Sequence, residues 1–238
     1  MKVLVLGDGK LGSEIVNQTG WNYISRKKNK FDINNTDQFD FYFIGNFDGV
    51  IYWKEYDVIV NCIADTNTYG GDKKSIRNTN YIFPKNLSDY CERNKIKLVH
   101  ISTDYVYANS ESFATEESLP IPLPSWYTYY KLLADEYISS TNTNHLICRC
   151  SFKSNPFEFD VAWVDQIGNF DYVDVITNLI IQLINKDANG IVNVGTELKT
   201  MYDLAKRTKP DVEAALRPKH IPSDISINID KLNNFLNK

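Results

Sequence analysis

The sequence predicts an α/β fold, a doubly wound parallel sheet with helices on both faces, and three observations carry that prediction. Short runs of β-branched residues and leucine alternate with longer stretches of helical period. The first such run ends in a glycine cluster that opens a helix. The chain shows neither an internal repeat nor a long linker, and its 238 residues, 43% hydrophobic and 24% charged, suit one sizeable body with a modest appendage.

Taken in order, residues 2–7 (KVLVLG) carry an unbroken run of valine and leucine and read as a fully buried strand. Residues 10–18 follow as a helix, residues 22–25 as the second strand, residues 57–64 (DVIVNCIA) as the third and residues 96–102 (IKLVHIS) as the fourth. A long helix is expected over residues 73–94, and another from Ser125, just after the Pro-rich LPIPLPS. Residues 145–151 (HLICRCS) give the fifth strand; residues 172–187 read as a helix, 190–195 as a strand and 199–208 as a helix. This order suggests a division into residues 1–152, with five strands, and residues 153–238, a small C-terminal part interleaved with the last sheet elements.

Charge and composition narrow the function. The 26 basic and 30 acidic residues give a formal net charge of −4, and RKKNK at 26–30 is the one basic run, which argues against nucleic acid as a partner. The N-terminal apolar run breaks at once into glycines and fits neither a signal peptide nor a membrane span, so a cytoplasmic protein without membrane partners is expected. The four cysteines lack a CxxC pairing and read as reduced thiols, and the three histidines are scattered, so no metal is expected.

The first chemical signal is Gly7-Asp8-Gly9-Lys10-Leu11-Gly12, a GxGxxG placed between the first strand and the first helix. There the first glycine permits a tight turn, the second lets backbone approach a pyrophosphate, and the third lets helix and strand pack closely. That context points to a Rossmann-like dinucleotide site, against the plainer reading of a turn kept only for packing. At the end of the second strand stands Ser25-Arg26-Lys27-Lys28, with no acid until Asp32. A guanidinium suits the 2′-phosphate of NADP and a carboxylate the ribose of NAD, so NADPH is favoured, with NADH the alternative and Asp32-Ile33 at the adenine edge. The plainer reading is a solvated basic loop.

WYTYYKLLADEYI, residues 126–138, carries four tyrosines and one lysine. Helical spacing puts Tyr127 on the face of Lys131 and leaves Tyr129 and Tyr130 off it. Such a pair is a proton relay, the ammonium lowering the phenol's pKa and holding a ribose. Ser102 and Thr103, at the carboxyl end of the fourth strand, supply the hydroxyl that would orient a carbonyl oxygen.

With these residues in place, the chain resembles the dTDP-4-dehydrorhamnose reductase family of the extended short-chain dehydrogenase/reductase superfamily. MKVLVLGDGKLG, DVIVNCIADTN, RNTNYIFPKNLSDYC, LVHISTDYVY, Tyr127-x-x-x-Lys131 and LICRCSF stand in the family's order across residues 1–152. The resemblance implies Thr103, Tyr127 and Lys131 as catalytic residues. It implies Asn61, Cys62, Ile63, Ala64 and Asn80 along the cofactor, and Thr103, Asp104 and Arg149 toward the substrate. Related dehydratases carry Thr-Asp-Glu where this chain has Thr103-Asp104-Tyr105, which argues for reduction over elimination.

Two departures from the family stand out. The glycine loop is one residue shorter than GxxGxxG, and the interval from Arg149 to the helix near Tyr172 is short, so the substrate-binding region is reduced. Phe152, Phe157 and Trp163 are either base-stacking or core residues, and Arg217 and Lys219 are candidates for a diphosphate. The resemblance therefore implies an NAD(P)H-dependent reductase of a 4-keto-6-deoxy nucleotide sugar in deoxysugar biosynthesis, with a homodimer as one assembly. The alternatives are a non-catalytic nucleotide-binding regulatory subunit, or a nucleotide-sugar epimerase with tightly held NAD.

Overall fold

Four apolar residues with no polar interruption, Val3–Leu6, form β1, and all four are buried. The computed structural model describes residues 1–33 and 53–237. Two units share the chain: Met1–Ile101 with Ser125–Ile147, and Ser102–Pro124 with Cys148–Lys238.

In the first unit β1 leads into α1 (Lys10–Thr19), which stops at Gly20, left-handed with φ 70°, a backbone state that glycine adopts without a Cβ penalty. β2 (Asn22–Ile24), the single turn α2 (Arg26–Asn29), a 3₁₀ turn at Trp53–Glu55 and β3 (Val58–Asn61) follow. The helix expected over residues 73–94 is instead three pieces: α3 (Lys73–Arg77), a π-helical stretch Asn78–Ile82, and α4 (Phe83–Asn94). Pro84 in the first turn of α4 has no N–H to give the preceding turn, and the N–H of Phe83 reaches back five residues to the carbonyl of Asn78. β4 (Lys97–Ser102), whose last residue belongs to the second unit, α5 (Trp126–Thr141) and the first half of β5 (His145–Cys150) complete the unit. Ser125 caps α5, its hydroxyl accepting from the Thr128 N–H at 3.3 Å.

The strands run in the order β5-β4-β3-β1-β2. β1 pairs in parallel with both β2 and β3, and β3 with β4. Strand order reverses at β1, and in open parallel sheets the crevice at such a reversal, beyond the carboxyl ends, is where ligands bind. β3 ends at Asn61, short of the expected 64, because the Asn61 Oδ1 accepts the Ile63 N–H at 3.1 Å and turns the chain out of the sheet.

The second unit is built from short strands: β6 (Phe152–Lys153), β7 (Val161–Trp163), β8 (Ile167–Gly168), β9 (Asp171–Tyr172), then α6 (Val173–Asn185) and β10 (Gly190–Val194). β11 (Lys199–Thr200), α7 (Met201–Lys206), β12 (Glu213–Ala215), β13 (Asp224–Ile225) and α8 (Asp230–Leu236) follow. β10 lies beside β5, whose residues 148–150 belong to this unit. The others form small ribbons: β6 with β9, β7 with β12, and β8 between β11 and β13. The stretch expected as one helix over 199–208 begins as β11 because Thr200 and Asp203 form a reciprocal capping box that fixes the helix start at Met201. The core here gathers Phe157, Phe170, Tyr172, Met201, Leu204 and Ile225, with Trp163 packed against it. Phe157 thus belongs to the core, and Trp163 and Phe152 are half-buried. No helix among the described residues is long and apolar enough to cross a membrane.

Candidate active site

The glycine loop separates three roles by geometry. Gly7 sits at φ +97°, and a Cβ on it would stand 3.0 Å from Ile63 Cγ1. A Cβ on Gly12 would stand 2.1 Å from the Gly7 carbonyl oxygen, so helix and strand touch there only because a side chain is missing. A Cβ on Gly9 would meet nothing within 4 Å. Gly9 is also the N-cap of α1 and makes no side-chain cap, which leaves the helix entrance to backbone N–H groups of the kind that hold phosphate oxygens. Lys10 is exposed beside it, whereas the Leu11 side chain is buried, so only its backbone faces outward chemistry. A dinucleotide fits this cradle.

At the end of β2, the Ser25 hydroxyl accepts the Lys28 N–H at 3.1 Å and caps α2. Lys28 lies over the Tyr23 ring, 3.9 Å from its centroid. Arg26 and Lys27 are exposed, and Asp32 and Ile33 are half-buried after Phe31, which packs edge-on against Trp53 and Phe83.

Beyond β3 the polar interior is anchored to backbone. Asn80, fully buried on the π-helical stretch, accepts the Asp65 N–H at 2.9 Å and donates to the Asp65 carbonyl at 2.8 Å. Both ends of its amide brace the loop that carries Cys62, Ile63 and Ala64. Burial pushes the Cys62 thiol up to about 12, offset in part by the Lys131 charge, so it is no nucleophile.

Lys131, 1% exposed, donates to the Ile101 carbonyl at 2.5 Å and lies 3.0 Å from His100 Nε2. The other ring nitrogen of His100 lies 3.1 Å from Asn61 Nδ2. Burial, then the neighbouring Lys131 charge, hold the His100 pKa well below its ordinary value, so the ring is neutral. Tyr127 is half-buried one turn before Lys131 on α5. The other tyrosines serve the helix: Tyr130 is buried between Tyr81 and Trp126, Tyr137 donates to Asp89 at 2.7 Å, and Tyr129 is exposed with its edge to Trp126.

In the second unit Thr103 caps the 3₁₀ turn Asp104–Tyr107, accepting the Tyr105 N–H at 3.2 Å, and its hydroxyl lies 3.4 Å from Asp104 Oδ1. Asp104 is buried and accepts the Ser151 hydroxyl; burial pushes its carboxyl up to about 6, against the opposing pull of Ser151 and Lys153. The buried Arg149 guanidinium donates to the Tyr107 hydroxyl and sits 4.9 Å from that ring's centroid. Arg217 donates to the Ile221 carbonyl and faces Asp165 at 3.7 Å, so it is held by its own unit. With Lys219, His220 and Asp224 it lines a cavity of about 310 Å³.

Sequence reasoning left out His100, the link between Asn61 and Lys131. A signal was present: with the carboxyl ends of β3 and β4 aligned, Asn61 and His100 are register partners. Asp65 and Ser151, the partners of Asn80 and Asp104, carried no pattern of their own.

A glycine-rich strand-turn-helix on a parallel sheet, with a Tyr-x-x-x-Lys helix after β4, defines a nucleotide-binding fold of the extended short-chain dehydrogenase/reductase class. The chain belongs to the family described as RmlD substrate binding domain, whose model matches residues 1–153. Over 103 residues it is 33% identical to the probable low-salt glycan biosynthesis reductase Agl14 of Haloferax volcanii, a match covering 41% of this chain and 34% of that protein. The matched stretch thus spans about a third of that curated relative. Among solved structures, a hypothetical dTDP-4-dehydrorhamnose reductase from Sulfolobus tokodaii aligns with TM-score 0.78 at 20% identity, covering 98% of this chain and 94% of that one. The dTDP-4-dehydrorhamnose reductase of Bacillus anthracis, in complex with NADP, aligns with TM-score 0.77 at 20% identity over 98% and 92% of the two chains. At that identity the likeness establishes the fold.

Proposed function

We propose that the protein is an NADPH-dependent reductase of a 4-keto-6-deoxy nucleotide sugar, with NADH as the lesser donor. The observation that carries this reading is the pair on α5, a half-buried Tyr127 one turn before a Lys131 whose amine is held at the end of β4. Family membership and the names of the aligned reductases support it. The bound nicotinamide would supply the hydride to the keto carbon. Gly7, Gly9, Lys10, Leu11 and Gly12 would hold the pyrophosphate on backbone N–H groups, and Arg26 and Lys27 the 2′-phosphate. Asn61, Cys62, Ile63 and Ala64 would form the wall beside the cofactor, with Asn80 keeping that wall in place.

Tyr127 would give its phenolic proton to the developing alkoxide, Lys131 would hold the nicotinamide ribose and tune the phenol, and Thr103 would orient the keto oxygen. Asp104 and Arg149 would serve the substrate side. The reading takes the enzyme to be cytoplasmic, with a nucleotide sugar as its partner, and a homodimer as the assembly to test by light scattering.

The deciding experiment follows NADPH oxidation by wild type and Tyr127→Phe with a 4-keto-6-deoxy nucleotide sugar generated in situ. Oxidation by wild type alone supports the reductase and its acid together. Oxidation by neither protein would leave a nucleotide-binding subunit, and NAD retained through purification would favour an epimerase.

A further inference from the structure

Within the second unit, one oxygen of Asp104 has two hydroxyl neighbours of unequal reach. The Ser151 hydroxyl donates to Asp104 Oδ1 in close contact, whereas Thr103 Oγ1 stands 3.4 Å from the same oxygen, at the outer edge of hydrogen-bond distance. A threonine hydroxyl carries one hydrogen and two lone pairs, and one lone pair of Thr103 already takes the Tyr105 N–H at 3.2 Å. Its hydrogen is held by the long contact to Asp104 alone. A buried carboxylate draws in any donor within reach. Burial pushes the Asp104 carboxyl up to about 6, and Ser151, then the Lys153 charge, then Thr103 pull it back, so it is ionised at neutral pH with Ser151 as its principal donor.

We propose that Ser151 is a positioning residue for the reductase site: by filling Asp104 Oδ1 it leaves the Thr103 hydroxyl hydrogen available to the keto oxygen of a bound substrate. The inference rests on the reductase reading for the identity of that acceptor. With Ser151 in place, turning the Thr103 hydroxyl toward a carbonyl gives up only a long, weak contact. Without it, the carboxylate takes the Thr103 hydrogen as a replacement donor, and each turnover must first break a charge-assisted bond. No hydrogen leaves Thr103 or Ser151 in this scheme; the proton that reaches the alkoxide is the one Tyr127 gives up.

The test is a pH titration by ¹³C NMR of nucleotide-free protein labelled at the aspartate carboxyl and threonine Cβ carbons, with Asp104→Asn and Thr103→Ser assigning the two signals. Ser151→Ala is expected to raise the Asp104 midpoint by about one pH unit, because a donor to the ionised form is lost. Thr103→Val is expected to raise it little in the wild type and at least about twice as far in Ser151→Ala, where the Thr103 hydrogen has moved in. Equal effects of Thr103→Val in the two backgrounds overturn the proposal. If the valine variant does not fold, the Thr103 Cβ signal decides: its swing through the Asp104 titration grows in Ser151→Ala, and an unchanged swing overturns the proposal. Neither readout needs turnover, so a protein that oxidises no NADPH sinks the reductase reading while the competition for Asp104 is still decided. Where the protein does turn over, Ser151→Ala is expected to lower kcat about tenfold with KM near wild type, and Ser151→Thr to restore it. An undiminished kcat overturns the positioning role.

Discussion

In the first unit three buried polar side chains are tied to backbone, with His100 bridging two of them: Asn80 to both polar groups of Asp65, Asn61 to the Ile63 N–H, Lys131 to the Ile101 carbonyl. In the second, backbone ties of that kind, such as Asn169 to the Thr196 carbonyl, Asn193 to the Ala114 carbonyl and Gln166 to the Pro222 carbonyl, are joined by a charged cluster whose side chains hold one another. Lys199, 3% exposed, reaches Asp171 at 3.2 Å and Thr196 at 2.5 Å, and Arg207 approaches the same carboxylate at 3.6 Å. Asp104 holds Ser151 in the same manner. The difference follows from the strands. A parallel sheet of buried strands fixes its backbone by itself, so side chains hung on that backbone inherit fixed positions, which proton transfer requires. Strands of two or three residues bury too little to hold one another, and charge-assisted bonds between side chains add the cohesion.

The sharpest test of that contrast is a pair of deletions. Tyr127→Phe in the first unit is expected to lower kcat by roughly 10²- to 10⁴-fold, the usual worth of a positioned acid, while urea stability and NADPH affinity stay near wild type. Lys199→Met in the second is expected to do the reverse. It takes the buried cation from Asp171 and leaves that carboxylate the half-exposed Arg207, the Thr196 hydroxyl and the Tyr172 N–H, a loss of about 3 kcal/mol by urea titration. A Lys199→Met protein as stable as wild type would show that the hub is not what holds the short strands.

Within the first unit the glycines separate packing from binding. Gly12→Ala drives a Cβ into the Gly7 carbonyl and is expected to cost about 1–3 kcal/mol together with nucleotide binding. Gly9→Ala enters open space at an ordinary φ of −68° and is expected to keep its melting temperature while NADPH affinity falls about tenfold or more. Fluorescence titration beside calorimetry distinguishes the two.

Asp104 gives the second unit a pH signature. Its carboxyl is raised from 3.8 to about 6, so the folded state binds the proton more tightly than the unfolded chain. The associated stability is fully present below about pH 4 and is lost as the pH rises through about 6. At about 1.4 kcal/mol per pKa unit, it amounts to roughly 2–3 kcal/mol. Asp104→Asn is expected to flatten that stretch of the stability profile; an unchanged slope would remove Asp104 as its source.

What was legible in the sequence divides along the same line. Apolar runs of four to six residues announced β1, β3, β4 and β5, and helical period announced α1, α5 and α6, because each buries one continuous face. β6 to β9 and β11 to β13 went unread: two or three residues hold no period, and their pairing depends on partners tens of residues away, as Phe152 with Asp171 shows. The glycine loop and Tyr127-x-x-x-Lys131 are local patterns and were visible as such. The Asn61–His100 contact spans 39 residues and exists only once β3 and β4 are in register. The split of helix 73–94 hung on Pro84, whose place in the first turn of a new helix is apparent only after the chain has reset there.

The smallest effect concerns two exposed cations of the first unit. Arg26 and Lys27 are exposed on a turn whose cap, Ser25, is itself held, so the backbone is fixed and the two cations are not. Exposed pairs are worth about 1 kcal/mol or less, more when a guanidinium grips a phosphate bidentately. Arg26→Ala with Lys27→Ala is therefore expected to raise the KM for NADPH about tenfold, to leave that for NADH within twofold, and to do less as salt is added, since the lost contact is screened at the surface. An equal rise for both cofactors would mean that these side chains shape the adenine end without reading the 2′-phosphate, and the preference would then have to lie with Asp32 and Ile33, half-buried just beyond the turn.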